Sequence, residues 1–358
     1  MPNTNKNLQL IQVLRGIASL LVVFLHSTRA SMETLHTDFL GNFFLFGGAG
    51  VDIFFVLSGF IITYTNIKYV GKGDYFPTFS RRRIVRIYPT YWIIISLFLL
   101  LQVILPAFYR SHFNFDIKNI LTTYLLLPDH VMVNGVSWTL SYEIFFYVLF
   151  SLSFFIPGKK WGFYIAMAYV AVIILLSASG NNFENSNSWL NLITYPMNVE
   201  FFMGVTAAVL IPRLGKNIGV PFICIGSVLF LVSAIISDLG YVLVPNTFNR
   251  VILFGVPSFL IITGVVKYEL NKKIKVPGIL LSLGEASYSL YLLHLPLIVA
   301  AVKIISKANI TGNISIHFLL LLIICIICYG SILFYKFVEK PIISKLNSLR
   351  RIKVANEI

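Results

Sequence analysis

From residue 10 to residue 337 the chain is a near-continuous succession of apolar stretches of about 20 residues, separated by short polar breaks. Each stretch is long enough to cross the hydrocarbon core of a bilayer as a helix. The spans fall near 10–28, 43–65, 89–108, 138–156, 161–178, 196–212, 218–236, 251–266, 282–303 and 316–337. Composition agrees: 57% of the 358 residues are hydrophobic and 12% charged, against roughly a quarter charged in soluble domains. The expectation is an all-α integral membrane protein, a bundle of about ten transmembrane helices. It forms one domain over 1–340, followed by a basic tail at 341–358. The first span is not expected to be a cleaved signal peptide, because Arg15 and His26 lie within it and no convincing small-x-small site follows. Ile120–Leu127 is too short to span and is expected to be re-entrant or interfacial.

Loop charge sets the orientation. With the N-terminus inside, all but six of the 28 Lys and Arg (Arg29, Arg110, Lys118, Arg250, Lys303 and Lys307) lie on the cytoplasmic side. Positive residues are retained there, so both termini are expected in the cytoplasm and the chain in a bacterial inner membrane. The net charge of +14 is then explained by topology and attraction to anionic lipid, with no need for nucleic acid as a partner. The three cysteines, Cys224, Cys325 and Cys328, lie in apolar runs, where neither disulfides nor a metal site is expected.

Ionisable side chains at membrane depth cost at least ~2.5–3.5 kcal/mol on insertion scales, which makes each a candidate for function. They are Arg15, His26, Asp52, Glu143, Glu200 and His294. Arg15 and His26 are eleven residues apart, only ~20° past three full helical turns and roughly 16 Å along the axis, so they share a face. That geometry suits a long, anionic-headed donor held from the inside and consumed deeper in the membrane. It also suits a snorkelling Arg and a His capping the helix. Asp52, after the small-residue run Gly47-Gly48-Ala49-Gly50, and Glu143, after Trp138, reach a depth comparable with His26. The small residues allow close approach of another helix or of a ligand. Glu200 follows Tyr195-Pro196 and is expected at the outer interface in solvent. His294 precedes Pro296, whose missing N–H leaves a carbonyl free for a structural His to bond; a substrate contact is the other reading.

The loop after span two carries Arg81-Arg82-Arg83-Ile84-Val85-Arg86. Helical spacing puts Arg82 and Arg83 on one face with Arg86, and guanidinium forks match phosphate oxygens. Retention of positive charge inside accounts for the run equally well.

Taken together, these segments resemble the membrane-bound acyltransferase family 3, in its exopolysaccharide O-acetyltransferase-like branch. The likeness rests on Leu14-Arg15-Gly16 with His26, on Gly50 to Phe60, and on Arg83-x-x-Arg86-Ile87-Tyr88-Pro89. It continues through Ser137 to Leu140 with Glu143, Ser287 to Pro296, and Phe337-Val338-Glu339-Lys340-Pro341, where Lys340 replaces the more usual Arg. The resemblance implies transfer of an acyl group, usually acetyl, from cytoplasmic acyl-CoA to a carbohydrate hydroxyl, with no bound cofactor and no metal. The acceptor is often lipid-linked or part of a growing envelope polysaccharide.

Such a reaction needs a base for the attacking hydroxyl, donors for the oxyanion and cations for the CoA phosphates. His26 is the best base, and Glu143 or Asp52 can orient it; a covalent acyl-His intermediate is also open. Arg15, Arg83 and Arg86 are expected on the phosphates. Ser58, Tyr142, Tyr147 and His294 are candidates for substrate or oxyanion contacts. The competing reading is a secondary transporter or flippase with His26, Asp52 and Glu143 as a proton relay.

Overall fold

A computed structural model describes residues 8–105, 115–128, 133–179, 188–238, 248–309 and 313–356. Every regular element among them is helical. In chain order these are α1 (Gln9–Ala30), α2 (Ala49–Asn66), α3 (Phe76–Ile104), α4 (Ile117–Leu125), α5 (Trp138–Leu152), α6 (Lys159–Ala178), α7 (Ser188–Thr194) and α8 (Asn198–Leu210). They continue as α9 (Gly219–Asp238), α10 (Phe248–Arg250), α11 (Val256–Asn271), α12 (Gly278–Glu285), α13 (Ser287–Lys307), α14 (Asn313–Phe334) and α15 (Lys340–Asn356). Nine helical stretches among the described residues are long and apolar enough to cross a membrane. The tenth expected span is the shorter apolar helix α5, of 15 residues. The protein is therefore an all-α, multi-pass membrane protein. The expected end of span three at 106–108 and Arg110 lie outside the described residues.

The segment expected to be too short to span is α4, nine residues long. Asp116 caps it, its carboxylate accepting from the Asn119 N–H at 2.7 Å. Tyr91 and Trp92 of α3 donate to its Thr123 and Tyr124 carbonyls, both at 2.9 Å, which fixes the short helix against α3. The start of α1 is held from far along the chain. Glu269 of α11 accepts the Gln9 and Leu10 N–H groups at 2.5 and 3.0 Å, answering two donors that a helix N-terminus leaves free.

The small-residue run before Asp52 brings two helices together, as one of its two expected readings had it. A Cβ on Gly47 would stand 2.2 Å from the Leu21 carbonyl oxygen, and one on Gly50 2.2 Å from that of Ala18. Only glycine lets α2 lie this close to α1. Farther along, α2 packs on α8, with Phe55 stacked on Phe201 at 4.6 Å between ring centroids. Helices α1, α2, α3, α5 and α13 thus surround the interior where the polar residues gather.

Candidate functional site

Helix α13 lies beside α1 and runs in the same direction, in constant register. The Ser19 hydroxyl donates to the Ser287 carbonyl at 3.2 Å, and seven residues on along both helices His26 faces His294, with ring centroids 5.2 Å apart. Seven residues are about 10.5 Å of helix. His294 is fully buried. Its Nδ1 lies 3.1 Å from the Leu290 carbonyl, an acceptor, so that nitrogen carries the proton and Nε2 keeps its lone pair. No hydrogen-bond partner meets Nε2 among the described residues. The carbonyl expected to be freed by Pro296 is that of Leu292, and it accepts from the Asn134 side chain at 2.8 Å instead of from His294.

Toward the start of α1, Arg15 lines an open cleft of about 810 Å³, solvent at its mouth included, together with Arg83 and Arg86 of α3, Glu143 and Tyr147 of α5, and Ser58 of α2. Phe54, Phe55 and Ile61 supply an apolar wall. Arg83 sits over the Phe79 and Tyr147 rings, 5.2 and 5.3 Å from their centroids. Tyr147 donates to the Glu143 carboxylate. Arg15 and Arg86 both feel the charges of Glu143 and Glu339, yet none of the three arginines is within ion-pair distance of a carboxylate among the described residues. Arg82 points elsewhere: it is exposed and bonds the Tyr75 hydroxyl at 3.1 Å.

Asp52 belongs to a different group. Both its oxygens accept from Arg250, whose Nε is 3.0 and 3.1 Å away and whose Nη2 is 2.7 Å away; Nη2 also reaches the Gly48 carbonyl at 2.7 Å. This is the one ion pair among the described residues. Glu200 faces Asp52 from α8 within hydrogen-bond reach, and among the described residues no other side chain donates to its oxygens. Its expected solvated position is corrected: Glu200 is fully buried, because α8 presents this face to α2 and to the π-helical turn Val251–Gly255. The expected carboxylate beside His26 is likewise replaced. Asp52 is held by Arg250 and Glu143 is bonded by Tyr147, and no hydrogen bond joins either of them to His26. The neighbour of His26 is His294.

The acyltransferase domain family matches residues 9–336. The chain belongs to this family. The acyltransferase is 27% identical to the exopolysaccharide production protein ExoZ of Rhizobium meliloti over 288 residues, covering 75% of this chain and 81% of that one. It is 26% identical to the acyltransferase MdmB of Streptomyces mycarofaciens over 272 residues, 69% of this chain and 67% of that protein. An O-acetyl transferase of Shigella phage Sf6 is 28% identical over 211 residues, 54% of this chain and 60% of the phage protein. No solved structure matches the chain.

Of the hydroxyl candidates, Ser58 and Tyr147 line the acyltransferase cleft, whereas Tyr142 does not. Its ring packs on Tyr195 at 4.8 Å and edge-on to Trp138. Three residues went unnoticed in the sequence. Glu339, on the π-helical turn Tyr335–Glu339, accepts from the Ser289 hydroxyl close to Arg15 and Arg86; its place in the closing motif was the available signal. Arg250 reads in the sequence only as a loop cation, although a buried Asp52 demands a partner. Tyr291 was read as motif alone, yet it lines the cleft one helical turn before His294.

Proposed function

We propose that this membrane acyltransferase moves an acyl group, acetyl in the first place, from cytoplasmic acyl-CoA to a hydroxyl of a sugar in a cell-surface or exopolysaccharide, with His26 as general base. One observation carries the reading: Arg15, Arg83 and Arg86 line a single cleft with no ion-pair partner among the described residues. Three guanidinium groups against Glu143 and the nearby Glu339 leave a positive excess around the cleft, an arrangement that favours an anionic ligand. The pyrophosphate and phosphate of CoA supply that anion and suit guanidinium forks. The names of two relatives, an exopolysaccharide production protein and an O-acetyl transferase, support the acceptor class and the acetyl group.

In this mechanism the arginines hold the donor from the cytoplasmic side, where the loop charges put both termini, and its thioester points along α1 toward His26. The imidazole takes the proton of the sugar hydroxyl as its oxygen attacks the thioester carbon. The tetrahedral intermediate collapses with cleavage of the C–S bond, and the imidazolium returns the proton to the leaving CoA sulfur. His294 lies where a carboxylate was expected, and its unprotonated Nε2 is an acceptor available to the reacting pair. Asp52 is assigned to holding α2 and Glu143 to the donor cleft. A proton relay through His26, Asp52 and Glu143 draws no support from this geometry, since each has a different neighbour.

Mass analysis of surface glycans from cells with and without the gene tests the function, paired with acetyl-CoA binding to the purified protein. Loss of an O-acetyl group from one sugar is expected on deletion, restored by the wild-type chain. Identical glycans, or a protein with no affinity for acetyl-CoA, would overturn it.

A further inference from the structure

We infer that Tyr291 sets the length of acyl chain this enzyme accepts, by walling off the arginine cleft from the His26–His294 pair. The inference rests on the acyl-CoA reading above and adds to it a residue and a selectivity.

The order of residues along α13 gives the argument its depth scale. Ser287 accepts from Ser19, whose hydroxyl also reaches the Arg15 carbonyl at 3.0 Å, so Ser287 stands level with the middle of α1, about one turn beyond Arg15. Tyr291 is four residues beyond it, about 6 Å, and His294 seven residues, about 10.5 Å. Ser287, Tyr288 and Tyr291 line the cleft, and neither His294 nor His26 does. The Tyr291 ring lies 5.8 Å from that of His294 on one side and edge-on to Phe54 at 5.9 Å on the other. It therefore lies on the stretch of α13 between the arginine cleft and the imidazoles.

The phenol is fixed in that position. Its hydroxyl exchanges a hydrogen bond with Thr139 Oγ1 at 2.9 Å and reaches the Val136 carbonyl at 3.2 Å, and only 7% of the residue is exposed. Thr139 Oγ1 also lies 3.1 Å from that carbonyl, so the two hydroxyls share the Val136 oxygen in one linked group that holds the ring at the start of α5. A donor with its phosphates on Arg15, Arg83 and Arg86 brings its acyl end up to this ring. A short acyl group can turn past it toward His26, whereas each further methylene has to displace a ring anchored at its hydroxyl and packed at its edge. A single methylene too many in a close-fitting pocket is worth about 10- to 200-fold in discrimination.

The test is binding of CoA, acetyl-CoA, butyryl-CoA and hexanoyl-CoA to the full-length protein in detergent, for the wild type, Tyr291→Ala and Phe54→Ala. In the wild type, affinity is expected to drop about 10-fold or more between acetyl-CoA and hexanoyl-CoA. In Tyr291→Ala the two should come within about threefold of each other, a ratio read within the one variant and so independent of any change in its affinity for CoA itself. Equal wild-type affinity for all chain lengths overturns the inference and leaves the donor reading intact, as does an unchanged ranking in variants that still bind CoA. A wild type that binds no form of CoA overturns the donor reading itself. Should Tyr291→Ala lose CoA, Phe54→Ala decides, because it opens the same wall from α2; should both lose it, the wild-type ranking decides alone.

Discussion

Arg250 and the trio Arg15, Arg83 and Arg86 carry the same guanidinium into the same bundle, but their surroundings differ. Around Arg250 every contact is internal: Asp52 accepts from it through both oxygens, the Gly48 carbonyl takes a further bond, and Glu200 adds a second carboxylate nearby. Around the trio the neighbours are aromatic rings, a Gln12 side chain and the carboxylates of Glu143 and Glu339 beyond ion-pair distance, and an open cleft lies in front of them. A charge at membrane depth that is paired within the protein explains itself as packing. One that is left unpaired beside a cavity calls for a ligand. The two regions should therefore respond to mutation in opposite currencies, turnover or binding on the open side and stability on the closed side.

The largest expected effect is on the open side. His26→Ala should cut acyl transfer by about 10²- to 10⁴-fold, the usual contribution of a general base. Thermal stability in detergent should stay near that of the wild type, because His26 is half-buried and bonded to none of the packing groups described. Assay of acetyl transfer to surface glycan alongside a melting curve checks both halves. A variant that melts early but turns over normally when folded would place His26 with the structural charges.

Arg250→Ala is the matching change on the closed side. It strands Asp52, which is fully buried and has no second cation within ion-pair distance among the described residues. Removing one member of a buried pair costs about 3–5 kcal/mol. Denaturation in detergent should show a large loss of stability, while the fraction that remains folded keeps its affinity for acetyl-CoA. Loss of affinity with unchanged stability would mean that Arg250, too, belongs to the donor site.

The sequence made one of these regions far more legible than the other, for a geometric reason. Hydrophobic runs give helix ends, and helical spacing gives depth and face, so Arg15 with His26 and Arg83 with Arg86 were visible as pairs within single helices. Which faces meet depends on how ten helices pack, and depth alone cannot supply it. His26, Asp52 and Glu143 share a depth but not a neighbourhood. The pairing of Asp52 with Arg250 joins residues 198 positions apart, and that of His26 with His294 needs the parallel register of α1 and α13. Glu200 was misplaced because its neighbouring Tyr195-Pro196 looked interfacial, while the closeness of α2 to α8 that buries it has no local signature.

A smaller effect is expected for Arg83→Ala with Arg86→Ala. Hydrogen bonds to charged groups contribute about 1.5–3 kcal/mol each, so acetyl-CoA affinity should fall by 10-fold or more for each arginine that touches a phosphate. Stability should change little, as neither side chain is in an ion pair. Titration of acetyl-CoA against the double variant, with a topology reporter on the same protein, separates ligand binding from the retention of positive charge inside. An inverted chain with unaltered affinity would assign the arginines to topology.

Glu200→Gln should have the smallest effect, and its sign sharpens the comparison. Two carboxylates face one guanidinium in the closed cluster, which leaves one negative charge in excess unless a proton is bound. Among the described residues no side chain donates to either oxygen of Glu200, and it bonds the Asp52 carboxylate only when one of the two carries a proton. The amide is nearly the same size, removes the excess charge and brings an N–H₂ group that can donate toward Asp52. Stability should rise or stay level, by about 1 kcal/mol at most, and acetyl transfer should be unchanged. If Glu200→Gln instead abolishes transfer in a protein that melts normally, the cluster is part of the reaction path, and the division between a closed, structural group of charges and an open, ligand-binding one fails at that residue.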